Sequence, residues 1–237
     1  IDPLACLIAR VKANIVNDQI VNEVVRSVIA ETRQDLARLE SGEIDSSLLE
    51  RAAPPEFPNR DYWFEKKVQQ KLALLGFHIN HLTIDERIRE FLWVAFSGII
   101  LSKVSVANAR DIIHSRHHYL KHPNEPDVLD KFEKRVLKMR KQMQEFSQLC
   151  AGSEASANVQ IGDARALPVE SNSVDLVFTS PPYATALDYP RAHFLAVSWM
   201  QASLGINHDQ YKQKGQTYIG SERGSVREKR CEMQLEP

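Results

Sequence analysis

Two adjacent prolines, Pro181 and Pro182, close a run that reads as a buried strand, SVDLVFTS, and they set a hard limit on what can follow. Proline has no N–H to give to a sheet ladder, so pairing must stop there. Each proline also pushes the residue before it out of the α region, which makes the start of FTSPPYATALDY stiff and extended. Tyr183 then sets an aromatic ring at the end of a rigid polar tip, an arrangement that calls for a chemical purpose.

The surroundings of the prolines have the grammar of an α/β unit. VQIG reads as a short strand, DARALPVESNS as a turn-rich connection, VDLVFTS as a second strand, and PRAHFLAVSWM as a helix with Pro190 at its start. IDPLACLIARVKANI places Leu4, Leu7, Ile8 and Val11 at helical spacing, with Asp2 as the N-cap and Pro3 at the first helical position. Between these ends, residues 17–150 are helical in pattern. VNEVVRSVIAETRQDLARLE is amphipathic, RAAPPEFPNR is a proline-rich break, and DYWFEKKVQQKLALLGF and TIDERIREFLWVAFSGIILSKVS are further helices. PDVLDKFEKRVLKMRKQMQEFSQL opens with Pro126 and Asp127, and AGSEASAN is a small polar linker. Three segments are therefore expected: 1–16, 17–150 and 151–237. Trp63 and Trp93 fall in apolar helical patterns and are expected in the core.

Composition narrows the function classes. The 237 residues are 43% hydrophobic and 26% charged, ordinary values for a globular protein. A net charge of -1 excludes a uniformly basic surface, so any nucleic-acid contact must use a local patch. Cys6, Cys150 and Cys231 are odd in number and widely spaced, which favours a reduced, cytoplasmic chain. The longest apolar run, FLWVAFSGIIL, is too short to span a bilayer and is expected as a buried helix.

Taken together, GDARALP and SVDLVFTSPPY resemble two consecutive motifs of the amino-group DNA methyltransferases that use S-adenosylmethionine. Ser-Pro-Pro-Tyr is similar to the form associated mainly with cytosine N4 methylation, whereas Asp-Pro-Pro-Tyr is commoner for adenine N6. IDPLACLIARVKA resembles the segment after the second strand of that fold, and PPEFPNRDYWF with FLWVAFSGIILSKVS resembles a helical insertion of some bacterial members. The resemblance implies an α/β fold: a partial Rossmann-like class I methyltransferase core interrupted by a large helical insertion. It also implies a restriction-modification or orphan bacterial role.

The resemblance also assigns roles. An exocyclic amino group is a poor nucleophile because its lone pair is delocalised into the ring. Acceptors beside its N–H bonds can draw the nitrogen toward tetrahedral geometry and take up the developing positive charge. In the family a Ser or Asp side chain and a main-chain carbonyl of the Pro-Pro pair do this, while the aromatic ring stacks on a base flipped out of DNA. Carried onto this sequence, Ser180 is an acceptor, Pro181 supplies the carbonyl, Pro182 stiffens the tip and Tyr183 is the stacking platform. The nitrogen attacks the sulfonium methyl directly, and positioning supplies much of the rate. Asp163 and Ala164 are expected at the adenine end of the cofactor; a plain turn aspartate is the other reading of Asp163. Asp2 is open between a helix cap and a cofactor contact.

Other features are weaker. Asp188, Tyr189 and Arg191 either order the loop, touch a DNA phosphate or are ordinary surface residues. HSRHHYLKH, with His114, His117, His118 and His122, has no Cys or clustered carboxylate to complete a metal site, and a solvated, partly basic face is preferred. The helix bearing Lys131, Lys134, Arg135, Lys138, Arg140 and Lys141 interleaves its bases with acids, which favours a solvated face over phosphate tracking. No Gly-x-Gly occurs, although a dinucleotide-like site needs a glycine-rich turn. The family's first motif would have to precede Ile1, so the chain is expected to be a piece of a longer methyltransferase, with one half of a split enzyme as the other explanation. The expected activity is methyl transfer to DNA. An RNA or protein amide methyltransferase and a catalytically inactive helical DNA-binding fragment are the rivals.

Overall fold

The computed structural model describes residues 2–105, 126–163, 166–180 and 189–216. Helix α1 (Pro3–Ala13) begins as the sequence dictates: Asp2 is in an extended conformation and its side chain accepts from the Ala5 N–H at 3.0 Å. Helix α2 (Asp18–Ser41) is capped by Asn17, which accepts from the N–H groups of Gln19 and Ile20, and it ends at Gly42, whose φ of 80° closes the C-terminus in the left-handed region. Two short helices follow, α3 (Ser46–Arg51) and α4 (Arg60–Trp63), on either side of the proline-rich break.

Helix α5 (Lys66–Asn80) and helix α6 (Glu86–Ile99) form the centre, and α6 runs into a π-helical turn at Ile100–Val104. The apolar run from Phe91 is a buried helix: Phe91, Leu92, Val94, Ala95, Phe96 and Ile99 are all excluded from water. Helix α7 (Val128–Leu149) carries the interleaved bases; it starts just after Pro126 and Asp127, and the Asp127 side chain caps it. The chain closes with α8 (Tyr189–Trp199), α9 (Gln201–Leu204) and α10 (His208–Gln216).

Packing pairs α2 with α5, α6 with α7, α1 with α6 and α8 with α10. One hydrophobic cluster runs from Leu4 and Leu7 on α1, through Phe64, Leu72, Phe96 and Phe132, to Trp199 and Tyr211. Residues from all three expected segments therefore share one core. Phe57, Phe64 and Trp199 stack edge to face, with Trp199 centred 6.0 Å from Phe57 and 5.4 Å from Phe64, joining the proline-rich break to the end of α8. Trp93 is buried and Trp63 packs partly buried against the same cluster.

The expected α/β fold with a Rossmann-like core is not what forms. The described residues hold no strand, only an isolated antiparallel bridge between Asp163 and Ala166. VQIG and VDLVFTS have the side chains of strands but no ladder partner among the described residues, and a strand without a partner leaves its backbone groups unsatisfied. Val174 to Ser180 make no backbone–backbone hydrogen bond among the described residues, and Phe178 is 94% exposed. The helices instead bury their apolar faces against one another, so the architecture is helical. DYWFEKKVQQKLALLGF is likewise two helices rather than one, because Phe64 adopts an extended conformation between α4 and α5.

Candidate active site

Asp2 is buried among protein donors. It is 6% exposed, and three elements converge on its carboxylate. Oδ1 accepts from the Ala5 N–H in the first turn of α1 and stands 3.1 Å from His193 Nδ1 on α8. Oδ2 accepts from the Tyr211 hydroxyl on α10, and the same hydroxyl lies 3.3 Å from the Pro190 carbonyl. Burial alone would raise the Asp2 carboxyl; the pairing with His193 and the hydrogen bonds from Tyr211 and Ala5 outweigh it and hold the group below its ordinary value. The helix-cap reading of Asp2 is thus visible in the geometry. A cofactor ribose reaching this carboxylate would have to displace His193 or Tyr211, since both oxygens are already engaged.

One turn along α1, the buried Cys6 points its Sγ at the Gln160 carbonyl, 3.7 Å away, and burial pushes its thiol upward. Ile161 lines a cavity of about 220 Å³ together with Pro3, Leu7 and the ion-paired Arg10 and Glu90. The segment leading into Gly162 and Asp163 therefore lies beside the start of α1. Asp163 itself is exposed, and its carbonyl accepts from the Ala166 N–H at 3.0 Å, the geometry of a turn. Ala164 lies outside the described residues.

Ser180 is exposed. Pro181, Pro182, Tyr183 and Asp188 lie outside the described residues, as does the HSRHHYLKH stretch. Nine residues beyond Ser180, α8 begins, and Arg191 is exposed in its first turn. The structure thus brings the start of α1 together with the approach to Asp163 and with α8, while no described contact links Ser180 to either aspartate. Among the described residues no group of three or more His, Cys, Asp or Glu side chains could hold a metal ion.

His193 and Tyr211 were not marked by sequence reasoning. Tyr211 reaches Asp2 across 209 positions, and no local pattern carries such a pairing. His193 offered a fainter signal, a titratable residue on the apolar helix directly after the proline motif. With Nδ1 turned to a buried carboxylate, its ring is held in one orientation, as histidines that exchange protons or bind ligands commonly are.

No family model matches the chain, and no curated protein or solved structure is significantly similar to it. No helix among the described residues is long and apolar enough to cross a membrane.

Proposed function

We propose that this chain carries the amino-group end of an S-adenosylmethionine-dependent methyltransferase site acting on DNA, with cytosine N4 favoured over adenine N6. One observation carries the reading: the sequence Ser180-Pro181-Pro182-Tyr183, preceded by Gly162-Asp163-Ala164. Its chemistry suits an exocyclic amino nitrogen, which needs rigid acceptors and a stacking surface rather than a covalent nucleophile. The exposure of Ser180 leaves its hydroxyl accessible to a large substrate. The reading rests on the motif and takes nothing from the fold. In this reading the chain works in the reduced cytoplasm, and Asp163 and Ala164 face the cofactor.

Transfer of labelled methyl groups to duplex DNA, RNA and protein substrates tests the proposal, with S-adenosylmethionine in large excess because no micromolar affinity for it is expected. Label on DNA that disappears in Ser180→Ala and Tyr183→Ala supports it, and base analysis separates N4-methylcytosine from N6-methyladenine. Label on RNA or protein alone moves the substrate class to one of the enzyme rivals.

A second reading follows from the helical architecture: a helical DNA-binding or scaffolding piece that bears the motif without turning over. The described helices, with α7 presenting Lys131, Lys134, Lys138 and Lys141, favour it. DNA binding that persists with no methyl transfer by the unaltered chain would establish this reading. Methyl transfer lost in the Ser180 and Tyr183 variants with DNA binding kept would eliminate it.

A further inference from the structure

A groove of about 1020 Å³ opens between α1, α6, α7 and α8. Its walls are apolar, built from Leu4, Ile8, Phe91, Val94, Met139 and Met143 among others. Methionine is flexible and polarizable, and it suits surfaces that adapt to an occupant. The charged and titratable side chains along the lining are Lys12, Arg135 and His193, and none of the lining residues is acidic. Behind His193, the Asp2 carboxylate stands 3.1 Å from Nδ1. A wholly basic lining is notable in a chain whose net charge is -1.

Arg135 is the distinctive polar group. Its Nε is buried and has no hydrogen-bond partner, and the guanidinium makes no ion pair among the described residues. It lies so close to α6 that a methyl group at Gly98 would sit 2.6 Å from Nε and 3.1 Å from the guanidinium carbon. The absence of a side chain at Gly98 is what lets the cation approach α6 this closely. Arg135 is half-buried, and a guanidinium whose buried Nε has no partner leaves a cation that an anion supplied by a ligand would satisfy.

We propose that this groove binds a single-chain carboxylate, an aliphatic tail against the methionine and phenylalanine walls with its carboxylate on Arg135. Volume, apolar walls and a few convergent polar groups are the features of a small-molecule site. The charge complementarity selects an anionic amphiphile over a neutral or cationic one. The inference is independent of methyl transfer and uses none of the proline-motif residues.

Isothermal titration of the full chain with decanoate, decanol and decyltrimethylammonium tests it. Saturable one-to-one binding of decanoate is expected, at least tenfold tighter than either analogue. Arg135→Gln should weaken decanoate tenfold or more with unchanged helical circular dichroism, because Arg135 makes no ion pair among the described residues. Gly98→Ala should weaken it as well, by displacing the guanidinium. No saturable binding of decanoate, equal binding of the cationic analogue, or full affinity in Arg135→Gln overturns the proposal.

Discussion

Tyr211 donates its hydroxyl proton to the carboxylate of Asp2, tying the last described helix to the cap of the first across 209 positions of sequence. The bond is buried and charge-assisted, and the carboxylate it serves also caps α1 and pairs with His193. Hydrogen bonds to charged groups contribute about 1.5–3 kcal/mol, more than neutral ones. Tyr211→Phe keeps the ring and removes only the donor, so a loss of about 2 kcal/mol is expected in urea unfolding, with the m-value unchanged. A change below about 0.5 kcal/mol would show that Asp2 is satisfied without it.

Asp35 gives the fold an acid limit. Its carboxylate, 8% exposed, takes a bidentate Arg51 at 2.8 and 2.9 Å and faces His78 Nε2 at 3.1 Å, while His78 Nδ1 meets Glu31 at 3.1 Å. Burial alone would raise this carboxyl, but Arg51 and His78 outweigh it and hold it below its ordinary value. A carboxyl lowered on folding stabilises fully above its unfolded value and loses that contribution as pH falls through the folded one. Stability should therefore fall as pH drops below about 4, the region of an unperturbed aspartate. Asp35→Asn should flatten that part of the profile while lowering stability at neutral pH, because Arg51 loses its partner. An unchanged acid slope in the variant would assign the acid limit to other carboxylates such as Asp2 and Asp18.

The legible parts of the sequence were those that local chemistry decides. Asp2-Pro3 and Pro126-Asp127 announce helix starts, and both occur where the capping chemistry places them. The break at Phe64 and Glu65 was hidden because the apolar spacing continues across it. The short helix α3 was hidden because six residues carry too little periodicity to read. The strands failed for a different reason. Val174, Leu176 and Phe178 alternate as a strand should, but a strand is completed by a neighbour, and the sequence cannot show whether one is present. The same blindness to distant partners concealed the hydrogen bond from Tyr211 to Asp2, the approach of His193 Nδ1 to within 3.1 Å of it, and the contact of Gln160 with Cys6. Of the candidate site, the motif residues were legible as chemistry, whereas the setting of Asp2 emerged only from tertiary packing.

The cofactor supplies a separate prediction. No Gly-x-Gly turn occurs in the chain, and both oxygens of Asp2 are occupied by protein donors. Calorimetry with S-adenosylmethionine on the chain alone should therefore show no binding in the micromolar range. If micromolar binding is seen, Asp163→Ala and Asp2→Ala should be compared. Loss only in the former would locate the cofactor at the turn after Gln160, and loss only in the latter would require the cap to open.

Phe178 and Phe96 offer the sharpest test of the helical architecture. Phe96 is 0% exposed on α6, and Phe178 is 94% exposed in the run that the sequence marks as a strand. Truncating a buried phenylalanine costs about 3–5 kcal/mol through lost transfer energy and the cavity left behind. An exposed one has little to lose, and its removal is expected within about 0.5 kcal/mol of neutral. Phe96→Ala should therefore be severely destabilised in urea, and Phe178→Ala should unfold at the midpoint of the unaltered chain. Because Leu176 at 79% and Val177 at 76% are exposed in the same run, Leu176→Ser should also be near neutral and should improve solubility by breaking up an apolar surface. A cost above about 2 kcal/mol for Phe178→Ala would mean that this run is covered in solution, since surface positions do not carry such values.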